Sequence, residues 1–124
     1  MATLREVMSG DLTSVRPDAT VAEAAHLMSI HHVGSALVLD GDTLLGIFTE
    51  RDIVRALASD FDAAGHTVGA WMTRDPRTLG PDAPTEEALD LMLEEGFRHL
   101  PVVQDDRVLG VVSIRDLAPR SDQD

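Results

Sequence analysis

The feature that most constrains this chain is an internal repeat at a fixed offset. Shifted against itself by 64 positions, the sequence sets Met8 on Met72 and needs no gap until Ile53 falls on Leu117. In that register Asp11 meets Asp75, the triplet "PDA" at 17–19 meets "PDA" at 81–83, and Glu23-Ala24 meets Glu87-Ala88. Leu27-Met28 meets Leu91-Met92, Val38 meets Val102, Leu45-Gly46 meets Leu109-Gly110, and Arg51-Asp52 meets Arg115-Asp116. The chain is two copies of one unit, which sets the expected organisation: a first repeat over 1–58, a polar linker over 59–67, a second repeat over 68–120 and a frayed tail at 121–124. A unit of about 50 residues buries too little apolar surface to stand alone, so the two copies must pack on each other.

Each copy can be read locally. Val21, Ala24, Ala25 and Met28 recur at helical spacing and form one apolar face, repeated by Ala88, Leu89 and Met92. Thr20 followed by Glu23 has the pattern of a capping box, and Pro84 suits the opening of the second copy's helix. "SALVLDGDTLLGIF" reads as two short strands around an Asp40-Gly41 turn, and "HLPVVQDDRVLGVV" is its echo around Asp105-Asp106. A second helix opens at "TERDIVRALA" and at "SIRDLA", the latter cut short by Pro119. Brief strands are expected at Thr13 to Val15 and Arg77 to Leu79. The fold class is therefore mixed α/β, with two β-α-β-β-α repeats related by a pseudo-twofold, packed sheet to sheet with a cleft between them.

Composition removes several classes of function. The net charge of −12 repels nucleic-acid backbones, and one Trp, three Phe and no Tyr leave no stacking platform for single strands. The absence of cysteine excludes disulfides, thiolate metal sites and a cysteine nucleophile, and fits a cytoplasmic setting. "MATLREVMSG" has no apolar core of a signal peptide, and no apolar run is long enough to span a membrane. His26, His31 and His32 lack the i, i+4 spacing of helical metal ligands and read as solvated or capping residues. Neither a Walker pattern nor a GxGxxG occurs, and no nucleophile, base and orienter assemble, so the expectation is a non-enzyme without an obligatory cofactor. Trp71 reads as a packing residue between repeats or at a dimer face.

The second half of each repeat carries the chemistry. "GIFTERDI" at 46–53 returns as "GVVSIRDL" at 110–117. Thr49 and Ser113 stand where a helix cap belongs, with Asp52 and Asp116 three residues on. A hydroxyl and an acid at this spacing cap a helix without any ligand. A helix start also offers N–H donors and partial positive charge to a phosphate, so cap and ligand seat are compatible readings. Gly46 and Gly110, lacking side chains, let backbone approach closely at the strand.

Paired units with "PDATVAEAAHLM", "HLPVV" and this twice-written phrase resemble a tandem pair of CBS domains, the Bateman module, over Leu4 to about Leu117. The resemblance implies a sensor that binds an adenosine-containing ligand between the repeats: AMP, ADP, ATP, S-adenosylmethionine or NAD. It implies ribose held by the acids Asp52 and Asp116. It also implies that the basic pair Arg98-His99, which replaces Gly34-Ser35 of the first copy, points at phosphate. On that basis one stronger phosphate site would use Thr49, Asp52, Arg98 and His99, and a second, lacking the basic pair, would use Ser113 and Asp116. Arg51 and Arg115 would neutralise phosphate or pair with surface acids. The resemblance further implies a homodimer that regulates an effector protein in trans, since no effector domain follows "APRSDQD". The rival reading is a dimerising interaction module without nucleotide binding.

Overall fold

Two β-hairpins, each ending in a capped helix, form the frame on which everything else is placed. The computed structural model describes residues 2–10 and 12–117; the tail expected at 121–124 lies outside them. In chain order the elements are α1 (Leu4–Val7), β1 (Ser14–Val15), α2 (Val21–His31), β2 (Ser35–Asp40), β3 (Thr43–Thr49) and α3 (Glu50–Ser59). A 3-10 turn follows at Phe61–Gly65, then α4 (Val68–Trp71), β4 (Thr73–Arg74), α5 (Thr85–Glu95), β5 (His99–Gln104), β6 (Arg107–Ser113) and α6 (Ile114–Leu117). The mixed α/β class is as the sequence implies.

The hairpins pair in the same register, with Val38 opposite Gly46 and Val102 opposite Gly110, and each register slips one residue further along. The two-residue loops are Gly41-Asp42 and Asp105-Asp106, so the first turn lies one residue beyond the expected Asp40-Gly41. Asp105 and Asp106 both take positive φ, which suits the primed turns that match strand twist. The capping box at α2 forms as expected: the Glu23 N–H donates to Thr20 Oγ1 at 3.0 Å, and the Thr20 N–H donates to Glu23 Oε1 at 2.8 Å.

The chain packs as two units, one of residues 12–76 and one of residues 1–11 with 77–124. These boundaries differ from those of the repeats. The opening turn of each copy is exchanged: α1 packs in the unit of the second hairpin, and α4 in the unit of the first. In the first-hairpin unit Val68 is fully buried with Val21, Ala24, Met28, Ala36, Val38 and Phe48, and Trp71 and Met72 lie against that core. In the other, Leu4 is fully buried with Ala88, Met92, Leu100, Val102 and Val112, flanked by Val7 and Met8. The segment expected as a linker is partly built in, since Ala63 is buried and the Val21 N–H donates to His66 O at 2.9 Å.

The exchanged segments cross the hairpins at the repeated glycines. β4 pairs antiparallel with β3, setting Arg74 opposite Gly46 and Thr73 opposite Ile47. In the other unit Ser9 and Val111 exchange N–H···O bonds of 3.0 and 3.1 Å. A Cβ on Gly46 would stand 2.5 Å from Thr73 O and 2.7 Å from Met72 Sδ; one on Gly110 would stand 2.6 Å from Ser9 O and 2.8 Å from Met8 Sδ. The close approach read from the sequence is therefore made by the chain's own backbone. The strand expected at Arg77 to Leu79 is reduced to a single parallel bridge, Leu79 to Val102.

Gly46→Ala should cost about 1–3 kcal/mol in urea unfolding, the usual range for overpacking, because a carbonyl held in a strand pair cannot retreat as a side chain can. Gly65→Ala, where an added Cβ meets nothing within 4 Å, is the control. An unchanged midpoint in Gly46→Ala would show that the crossing is not tight.

Candidate functional site

The repeated phrase forms the same local structure in both units. Strand β3 delivers Thr49 to the N-cap of α3 in extended backbone, and the Asp52 N–H donates to its Oγ1 at 3.4 Å. In return, Asp52 Oδ2 accepts from the Thr49 N–H at 2.9 Å and lies 3.2 Å from Thr49 Oγ1. At α6 the Ser113 N–H donates to Asp116 Oδ2 at 2.8 Å and the Asp116 N–H to Ser113 Oγ at 3.4 Å. Both are reciprocal caps, with Asp in the place that Glu or Gln usually takes. The next N–H of each helix also has a partner: Glu50 donates to Gly34 O at 3.1 Å and Ile114 to Arg98 O at 2.8 Å.

Those last bonds decide what stands beside each phrase within its unit. Thr49 is paired across the hairpin with Ser35, and Ser113 with His99. The structure thus brings Arg98 and His99 to the Ser113 phrase through the backbone, with Arg115 and Asp116 following on α6. Thr49, Arg51 and Asp52 belong to the unit of the first hairpin, beside Gly34 and Ser35. Arg51 and Arg115 are both exposed.

The two acids differ sharply. Asp52 is 4% exposed, and its second oxygen, Oδ1, accepts from the Arg55 guanidinium at 3.0 Å. Both carboxylate oxygens are therefore engaged. Asp116 is exposed and only its Oδ2 takes part in the cap. In the sequence register of the repeats Arg55 corresponds to Pro119, a residue type without a side-chain donor.

Arg55 leads to a cluster that the sequence did not reveal. Its guanidinium lies over the Trp71 ring, 5.9 Å from the centroid, within the range of a cation–π contact. Trp71 Nε1–H donates to His66 Nδ1 at 3.2 Å, and the rings are stacked with an interplanar angle of 12°. His66 Nε2 in turn lies 3.2 Å from Asp60 Oδ2. These two bonds together place the imidazole proton on Nε2, since Nδ1 must accept from the indole. Trp71, a residue of the second copy, packs against the core of the first hairpin, which makes it a packing residue between repeats, and His66 is its anchor. The spacing of five between His66 and Trp71 is no helical or strand period, so the sequence carried no signal for the pair.

Elsewhere His31 is held by the first unit: Thr13 Oγ1 and His31 Nδ1 are 2.8 Å apart. Among the described residues no group of His, Cys, Asp or Glu could hold a metal ion, and no helix is long and apolar enough to cross a membrane.

Comparison with known proteins identifies the family of the chain. The CBS domain model matches the chain twice, over residues 4–59 and 68–120. An uncharacterized 17.7 kDa protein of Acidianus ambivalens is 45% identical over 107 residues, 84% of this chain and 63% of its own length. The chain thus spans less than two thirds of that relative. The CBS domain-containing protein YhcV of Bacillus subtilis is 34% identical over 120 residues, covering 95% of this chain and 84% of YhcV. Among solved structures, the CBS-domain containing protein ATU1752 from Agrobacterium tumefaciens superposes with a TM-score of 0.88 at 31% identity, covering 94% of this chain and 96% of its own. The CBS domain pair of protein MJ0100, in complex with 5′-methylthioadenosine and S-adenosyl-L-methionine, gives 0.87 at 27% identity, covering 94% and 93%. CBSX2 in complex with AMP gives 0.80 at 27%, also covering 94% and 93%. Two family matches that together span nearly the whole chain, on a fold built from two equivalent capped hairpins, make this chain a member of the CBS domain family, a tandem pair of such domains.

Proposed function

We propose that the chain is a regulatory, non-catalytic module that senses an adenosine-containing ligand and passes its occupancy, as a cytoplasmic homodimer, to an effector protein in trans. The observation that carries the reading is the acid that closes each helix cap, above all Asp116, which keeps one carboxylate oxygen outside the cap. Such an oxygen accepts from a ribose hydroxyl at little cost. Arg98, His99 and Arg115 belong to the same unit as Asp116 and give a phosphate its counter-charges. The bound 5′-methylthioadenosine, S-adenosyl-L-methionine and AMP of the MJ0100 pair and CBSX2 support the ligand class. AMP, ADP, ATP, S-adenosylmethionine and NAD share the adenosine that this chemistry recognises.

Thr49, Arg51 and Asp52 form the second candidate seat. There a ribose must first displace Arg55 from Asp52 Oδ1, and Arg55 leaving its place over Trp71 reports the event. Ligand energy spent on that displacement favours one arrangement of the Asp52–Arg55–Trp71 cluster over another, which is what a population shift requires. The saturation of Asp52 is also the one observation that favours the rival module without nucleotide binding, in which both phrases serve as caps alone.

A thermal-shift panel of AMP, ADP, ATP, S-adenosylmethionine and NAD should show at least one selective stabiliser. A ligand at 100 times its Kd adds about 2.7 kcal/mol, a rise of several degrees in Tm. Asp116→Ala should weaken that ligand at least tenfold by calorimetry while leaving the fold intact, and Arg98→Ala should weaken phosphorylated ligands more than adenosine. A flat panel would favour the interaction module. If the Asp52 seat fills, Trp71 emission should change on titration in the native protein and stay constant in Arg55→Ala; emission unmoved by a ligand that does bind would restrict binding to the Asp116 phrase.

A further inference from the structure

The two bonds of His66 make opposite demands on a proton. Nδ1 accepts from the Trp71 indole N–H at 3.2 Å, and Nε2 lies 3.2 Å from Asp60 Oδ2. The neutral ring with its proton on Nε2 satisfies both. The imidazolium satisfies one, because both its nitrogens are donors and no rotation of the ring restores an acceptor to the indole. Its bond to Asp60 becomes charge-assisted and strengthens, so the ring stays with the carboxylate and Trp71 loses its partner. The His66 side chain is 38% exposed, so the proton arrives from water without any opening of the unit.

The charged groups around the ring come from several elements. Asp60, the C-cap of α3, is aimed by the 3-10 turn, since the Asp62 N–H donates to its Oδ1 at 2.9 Å; the Asp62 side chain is exposed. From α3, Arg55 lies over the Trp71 ring and is bonded to Asp52. The start of α2 is held to His66 by the bond from the Val21 N–H to His66 O. Its charges are Glu23, engaged by the Thr20 N–H, and Asp18, 3.4 Å from Arg16. Helix α4 carries no charge. Proton uptake therefore sets a second cation near Arg55, and the carboxylate that bonds it is Asp60.

We propose that His66 is a proton switch, in which protonation of Nδ1 ends the bond to Trp71 and releases the indole from its place under Arg55. Trp71 closes α4, and Met72-Thr73, which cross Gly46, follow it directly. The switch thus acts where a segment of the second copy enters the unit of the first. The crossing itself does not require it. At Gly110 the equivalent crossing is made with Ala2 and Val7 at the register positions of His66 and Trp71. A cluster present at one crossing and dispensable at the other is free to carry a signal, and a histidine with one acceptor role to lose is the group that reads pH.

No nucleotide takes part in this switch, and the test is made without one. Trp71 is the single tryptophan of the chain, so its emission reports this position alone. The isotope-labelled full chain is taken from about pH 8 to about pH 5, the span in which a histidine changes charge. The His66 ring nitrogens should pass from the Nε2–H tautomer to the imidazolium in NMR spectra. With the same midpoint, the bimolecular constant for acrylamide quenching of Trp71 should rise, because the released indole meets the quencher more often. Acrylamide is neutral, so a nearby charge without movement leaves that constant unchanged. His66→Asn, whose amide oxygen is an acceptor throughout the span, should hold it flat. A constant that does not move while His66 takes up its proton would overturn the proposal, as would a His66 ring still neutral at the acid end. An unaltered response in His66→Asn would overturn it too, by assigning the titration to another group. The first two outcomes are read on the native chain and decide the matter even where the variant does not fold.

Discussion

The structure depends on two backbone crossings made possible by glycine. At Gly46 and Gly110 a strand gives up its side chain so that another segment, Met72-Thr73 or Met8-Ser9, can lie directly on it. Each crossing segment ends a four-residue helix whose first residue, Val68 or Leu4, is fully buried in the core it reaches. Neither hairpin completes its core from its own repeat. The exchange builds each unit from both copies of the repeat, and it explains why the glycine is written twice in the same register.

The same strand that carries the glycine ends three residues later at the helix cap. This adjacency ties the proposed ligand chemistry to the fold: the crossing fixes the strand, the strand fixes Thr49 or Ser113, and the hydroxyl fixes the acid. Caps of this kind contribute about 1 kcal/mol each, so both phrases are held whether or not a ligand is present. What distinguishes them is the residue three positions beyond the acid. Arg55 closes the first carboxylate and links it to Trp71, His66 and Asp60; the corresponding residue in the sequence of the second copy is Pro119. Two copies of one motif are thereby given unequal access.

Much of this was legible in the sequence because local rules govern it. The repeat gave the domain pair, the apolar periodicities gave α2 and α5, the turn residues gave both hairpins, and Thr49 and Ser113 stand at the caps where their spacing put them. The exchange was not legible. Helices of four residues, such as α1 and α4, are shorter than the window over which an apolar period can be read, and nothing local tells Leu4 which hairpin it will bury against. β4 escaped for the same reason, since its pairing is set by the crossing and not by Thr73 or Arg74 themselves. Among the candidate site residues, the sequence could place the acids but not their accessibility. That required seeing Arg55 turn back onto Asp52 and Trp71 arrive from beyond the supposed linker.

The central claim is that the repeated phrase serves as a ligand seat as well as a cap. Amide NMR tests it most directly, by titrating the isotope-labelled chain with AMP and following each backbone N–H. The account expects concentration-dependent shifts centred on Ser113 to Asp116 and the neighbouring Arg98 and His99, joined by Thr49 to Asp52 if Arg55 yields, with the strand turns at Gly41 and Asp105 unmoved. Saturating binding with shifts confined to other residues would contradict it, and would leave both phrases as helix caps.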